Sequence, residues 1–274
     1  MSKLNMVEAL NLALSQEMAR DDRVCLMGED IAVNGGVFRV TKDLHATFGD
    51  SRVMDTPLAE CGIVGTAVGM AVYGVRPVIE IQFSGFTMQA FDQIEQNMAR
   101  LRNRTRGRYK IPVVLRAPYG GGIRAVEHHS ESREAYWAHT PGLKVVIPSG
   151  PRNARALLAA AIREDDPVVF YEPKAVYRAF REEVPDDPEV MEIGKADIVR
   201  EGSDITLISY GAMMRPCKEA VMDLEEDHGI DVEFIDLQTI SPMDTQTLSE
   251  SVKKTGRCII VNEGNRTCGV AAEI

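Results

Sequence analysis

Short apolar runs of strand length alternate with helical patterns along this chain, and that alternation restricts its fold more than any other feature. Residues 23–27, 77–83 (PVIEIQF), 111–116 (IPVVLR), 144–147 and 167–171 have the length and aliphatic content of buried strands. Helical periodicity occupies 6–19, 61–72, 86–103 and 152–163, and a glycine turn (Asn34-Gly35-Gly36) with a short helix lies in 31–50. Parallel strands need crossovers of a dozen or more residues, which helices of this size supply. The pattern predicts an α/β fold with a parallel sheet covered on both faces.

The composition changes at residues 181–195 (REEVPDDPEVMEIGK), which are acidic, proline-bearing and poor in apolar side chains, as in a linker. A second alternation follows: strand 204–211, helix 212–227, strand 231–237, helix 244–254 and strand 258–263. Two α/β domains are expected, 1–185 and 186–274. The second ends just inside a helix, so it is expected to be incomplete.

A net charge of −10 and a pI near 5.1 exclude a nucleic-acid binder, which needs a basic face. They also disfavour docking on an anionic membrane, and no apolar run is long enough to span one. The N-terminus lacks the apolar core of a signal peptide, so a cytoplasmic location is expected. Five cysteines, with no CxxC pair, read as buried reduced thiols rather than a disulfide framework or zinc site.

Polar groups concentrate at three places beside strand or helix ends, where open α/β sheets bind ligands. Glu60, in Thr56-Pro57-Leu58-Ala59-Glu60, opens the small-residue helix, as a dipole-complementing cap or as a functional carboxylate. Phe86, after Phe83-Ser84-Gly85, is either core or a stacking platform. Glu127-His128-His129-Ser130 follows a triple-glycine loop and suits proton transfer near neutral pH. His139 is open to a purely structural role. There is no Walker loop, GxGxxG, GxSxG or HExxH, nor the GDG signature that binds diphosphate and magnesium. By themselves these residues do not fix a reaction.

Four segments carry a resemblance: DTPLAECGIVGTAVGMA, EIQFSGFTMQAFDQI, VEHHSESREAYWAHTPGLKVVIPS and DPVVFYEPKAVYR. Together they resemble the beta chain of the thiamine-diphosphate-dependent 2-oxoacid dehydrogenases acting on pyruvate, branched-chain 2-oxoacids or acetoin. The resemblance runs from about Asn5 to the last residue. It implies a thiamine-diphosphate-type pyrimidine-binding domain followed by a transketolase C-terminal-type domain. It also implies a separate alpha subunit carrying the diphosphate and magnesium, in a heterotetramer of two alpha and two beta chains. A lipoyl acyltransferase would receive the acyl group.

Under that resemblance Glu60 matches the glutamate that hydrogen-bonds the aminopyrimidine, and its carboxyl should be desolvated with a raised pKa. Phe86 matches the aromatic packed on that ring, and Leu58 a residue lining the same pocket. Glu29 falls in an acidic turn near the cofactor. His129 matches the histidine of acyl transfer to lipoamide. The resemblance further implies potassium at Val113, Ala161, Ile162, Glu164 and Asp166, mostly through main-chain carbonyls, although relatives often have Asp and Asn at the last two positions. Asn262-Glu263 stands where many relatives have His-Glu. The HHSES and AHTPG stretches lean toward branched-chain enzymes, and the remainder equally toward bacterial pyruvate enzymes. A non-catalytic scaffold subunit and a transketolase-type fragment are the competing readings.

Overall fold

A computed structural model describes residues 1–274. Its centre is a seven-stranded sheet built from β2 (Val24–Gly28), β3 (Val53–Asp55), β4 (Arg76–Glu80), β5 (Val114–Tyr119), β6 (Lys144–Val146), β7 (Val168–Pro173) and β12 (Thr239–Ser241). The spatial order is β12-β6-β7-β5-β4-β2-β3; all neighbours run parallel except β12, which pairs antiparallel with β6. A four-stranded sheet has the order β13-β10-β11-β9, from β9 (Asp197–Arg200), β10 (Ile205–Ser209), β11 (Val232–Asp236) and β13 (Cys258–Val261). The remaining strands, β1 (Ser2–Leu4) and β8 (Glu182–Val184), form an antiparallel pair.

Strand alternation divides the core into two layers. On β5 and β7, Leu115, Ala117, Val169 and Tyr171 face one layer, while Val114, Val168 and Phe170 face the other. The second layer is covered by the helix Met6–Arg20, whose Met6, Leu10, Leu14 and Met18 are fully buried. Asn5 and Glu8 close a capping box at its start. The first layer is continuous with Ile208, Tyr210, Ile235 and Leu237 of the smaller sheet, so one core joins both halves.

Two expectations, on residues 86–103 and on the cysteines, need correction. Residues 86–103 are not one helix. They wind as a 3₁₀ stretch Ser84–Ala90, a π-helical stretch Gln93–Met98 and a short α-helix Leu101–Arg104. The 3₁₀ stretch buries Ser84, Thr87 and Ala90, spaced by three but mostly polar, while Ile94 and Met98, spaced by four, suit α and π winding alike, so apolar spacing did not reveal the change. The short strand β8 lies within the 181–195 segment, and β12 from the C-terminal half extends the N-terminal sheet, which the sequence did not anticipate. Of the cysteines, only Cys25 and Cys217 are buried; Cys61, Cys258 and Cys268 are exposed, and all five are free.

Two buried polar networks hold the framework. At the C-terminal ends of β4, β5 and β7, Arg116 lies between Glu80 (3.0 Å) and Glu172 (2.7 Å), and Tyr177 Oη donates to Glu172 at 2.5 Å. Burial opposes the Arg116 charge, but Glu172 and Glu80 outweigh it and raise the pKa. At the junction of the two halves, Ser149 and Asn153 donate to Asp236, the last residue of β11. Burial pushes its carboxyl from 3.8 up to about 7.

Arg116→Met would strand two buried carboxylates. Urea unfolding should show a loss of about 3–5 kcal/mol, and an unchanged midpoint would refute the network's role. Asp236 gives a pH-dependent prediction. Between 3.8 and about 7 the folded state keeps a proton that the unfolded state has released. Stability contributed by this residue therefore falls as pH rises through that window. Unfolding free energies of wild type minus Asp236→Asn, measured from pH 4 to pH 8, should decline and then level off. A flat difference would show that Asp236 titrates normally.

Candidate active site

Sheet order brings the site residues into a row. Glu29 directly follows β2, Glu60 follows β3, Phe86 follows β4 and His129 follows β5, and these strands are neighbours in the order β5-β4-β2-β3. All four lie beyond the carboxyl ends of parallel strands, the crevice this architecture leaves for ligands. The backbone N–H of Thr56 donates to Gly28 O at 3.0 Å, which ties the Glu60 segment to the Glu29 turn.

Glu60 is the first residue of the helix Glu60–Val72 and is 8% exposed. It caps nothing: the N-cap is Ala59, with no side-chain cap bond. The helix buries Ile63, Val64, Ala67, Val68 and Ala71. Gly65 on this helix faces the Gln93 side chain, so the element bearing Glu60 packs on the segment continuing from Phe86. Glu29, also buried, has its pKa raised by burial and then by the charges of Glu60, Asp30 and Glu80. Two carboxylates therefore share one corner.

Phe86 is half-buried and meets Phe83 edge-on at 6.0 Å between ring centroids. The His129 ring lies 4.4 Å from Phe83 and 5.2 Å from Phe86, while His128 is exposed. The loop carrying both histidines is seated on Gly85. A Cβ there would approach His128 O to 2.4 Å, so a side chain cannot be accommodated without moving that backbone. Ser84 Oγ donates to Glu131 O at 2.6 Å, and the Gly120 N–H reaches the same carbonyl at 3.0 Å. Arg133 pairs with Glu131 and holds its carboxyl below the usual range.

Leu58 is 79% exposed and contributes no enclosed wall within this chain. Two cavities, of about 500 and 430 Å³, lie elsewhere, lined by His139 and Cys268 in one case and by Gly150, Arg215 and Asp236 in the other. The row opens toward solvent at half-buried Phe86 and His129 and at exposed Leu58.

The potassium positions gather at the end of the helix Pro151–Arg163, but each already has a donor. Arg76 donates to the carbonyls of Ile162 (2.9 Å) and Glu164. Val113 O accepts from Val168, and Ala161 O from Glu164. The carboxylates of Glu164 and Asp166 pair with Lys144 and Arg102. Arg76 thus already places a positive charge at the Ile162 and Glu164 carbonyls. That arginine, Arg116 with its two carboxylates, and Lys174 escaped the sequence reading. Their one signal was a charged side chain inside or at the end of an apolar strand.

The fold and site define a transketolase-type chain. The family described as "Transketolase, pyrimidine binding domain" matches residues 2–180, and "Transketolase, C-terminal domain" matches 194–274. A solved structure, "Split gene transketolase, inactive beta4 tetramer", superposes with a TM-score of 0.81 at 22% identity, covering 99% of this chain and 83% of the other. That likeness concerns the fold alone. Relatives named "Pyruvate dehydrogenase E1 component subunit beta" are 51% identical in Staphylococcus epidermidis, 49% in Acholeplasma laidlawii and 48% in Bacillus subtilis. Each match covers all of this chain and 84% of the relative. The chain belongs to the family of pyruvate dehydrogenase E1 beta subunits.

Gly85→Ala should release the histidine loop. Trypsin cleavage at Arg124, measured on folded protein, should accelerate by about tenfold or more, as for a local opening made easier by over 1.4 kcal/mol. Equal cleavage rates would contradict the seating.

Proposed function

We propose that this chain provides the aminopyrimidine pocket of a thiamine-diphosphate-dependent pyruvate dehydrogenase, completed by a separate alpha chain. The observation that carries this reading is Glu60, a buried carboxylate that caps nothing and sits in a row with Phe86 and His129. The openness of that row favours a second chain as its other wall, with exposed Leu58 on the boundary. Diphosphate and magnesium are assigned to the alpha chain, in a heterotetramer of two alpha and two beta chains in the cytoplasm.

Thiamine diphosphate, when bound, supplies the nucleophilic carbon and the electron sink for decarboxylation. The chain's own residues do the rest. Glu60 holds a proton at a pyrimidine nitrogen, and its low exposure strengthens that hydrogen bond. Phe86 packs on the ring, and Glu29 keeps the corner acidic. His129 holds or moves a proton while the acyl group passes to the lipoyl group of a partner acyltransferase. Pyruvate is the substrate favoured by the names of the relatives; branched-chain 2-oxoacids and acetoin are the comparators.

Glu60→Gln, reconstituted with the alpha chain, should lower pyruvate turnover about 100-fold or more while the melting temperature and assembly hold. Decarboxylation read with an artificial electron acceptor measures this. Undiminished turnover would remove Glu60 from the chemistry. Faster turnover of a branched 2-oxoacid than of pyruvate would reassign the substrate.

A further inference from the structure

The loop bearing His129 begins at a peptide bond held from both sides. Lys174, just after β7, donates from Nζ to the Gly120 carbonyl at 2.6 Å. Glu263, just after β13, accepts at Oε2 from the Gly121 N–H at 3.0 Å. That carbonyl and that N–H are the two ends of a single peptide group. The ammonium faces its negative end and the carboxylate its positive end, so both hydrogen bonds are charge-assisted and reinforce each other through the peptide dipole.

The surroundings are built for this contact. Lys174 is 5% exposed, with its ammonium 5.6 Å from the centre of the Phe83 ring. Burial lowers its pKa to about 8, opposed by the charge of Glu263. Gly120 has φ +76°, and a Cβ on it would come within 2.3 Å of Glu263 Oε1, so only glycine admits the carboxylate. Around Glu263 lies a buried polar cluster: Tyr210 Oη donates to Glu134 at 3.0 Å, and the Tyr119 hydroxyl faces Glu134 and Glu263. The same Phe83 ring beneath Lys174 receives His129 at 4.4 Å. Lys174 therefore touches the root of the loop and the surface on which its histidine rests.

We propose that Lys174 and Glu263 form a positioning pair that clamps the Gly120–Gly121 peptide and so aims His129, coupling the smaller sheet to the acyl-transfer step. Neither residue touches the reacting groups. The clamp itself rests on geometry; its effect on acyl transfer rests on the function proposed for His129.

The test compares Lys174→Met, Glu263→Gln and the conservative Lys174→Arg in the full chain, alone and reconstituted with the alpha chain. Hydrogen exchange of amides 120–132 should quicken about tenfold in the first two variants, the effect of losing one charge-assisted hydrogen bond. Exchange in β10 and β11 should not change, and Lys174→Arg should restore protection. In the reconstituted enzyme, kcat for lipoyl acylation should drop about tenfold while decarboxylation with an artificial acceptor stays within about twofold. Unchanged loop exchange in both Lys174→Met and Glu263→Gln would overturn the clamp. A loosened loop with an unaffected lipoyl step would uphold the clamp and remove His129 from acyl transfer. Glu263→Gln keeps size and an acceptor oxygen, so it reports on charge even if Lys174→Met unfolds.

Discussion

Arg116 between Glu80 and Glu172 is the contact on which the rest of the structure leans. These residues lie on three neighbouring strands, all with almost no solvent exposure, at the end of the sheet where the site is built. A buried ionic group is costly to assemble, and each member is costlier still to leave alone. The arrangement therefore fixes which strand ends come level with one another. Glu80 also extends its negative charge to Glu29, so the same network helps set the acidity of the corner shared with Glu60.

From that level edge, each successive strand hands one group to the row. The glycines and tight turns have a specific task here, because backbone and ring groups must approach more closely than side chains allow. Gly85 lets the histidine loop sit on the strand-end segment, and the tight 3₁₀ winding turns Phe86 beside Phe83. The smaller sheet is more than an appendage. Its Asp236 and Glu263 reach back to Asn153 and Gly121, and β12 joins the larger sheet outright.

Buried charge is balanced inside the fold in two ways, since Asp236 and Glu134 are held by neutral hydrogen-bond donors alone. Elsewhere a cation of the chain itself is brought to the buried group: Arg76 at the Ile162 and Glu164 carbonyls, Arg116 at Glu80 and Glu172, and Arg163 at the buried Glu17. No cation of the chain pairs with Glu60 either, which suits the ligand contact proposed for it. Lys174 is the converse case, a buried cation whose neighbours are a carbonyl and an aromatic face rather than a carboxylate in contact.

The sequence alone determined the α/β class, the parallel sheet and the change of character near residue 185, and its motifs and the Gly28-Glu29-Asp30 turn singled out 29, 58, 60, 86 and 129 as candidate positions. Those features are local or periodic, and apolar spacing and motif order record them directly. The sequence could not determine that 86–103 winds in three ways, because the 3₁₀ stretch buries polar Ser84 and Thr87 and the spacing of Ile94 and Met98 suits α and π turns alike. Nor could it decide that β12 crosses to the larger sheet, that Arg76 fills the carbonyl cluster, or that Lys174 and Glu263 meet on one peptide. Those are contacts between residues tens to over a hundred positions apart. Their partners are chosen by packing and desolvation, which exist only once the chain has closed on itself.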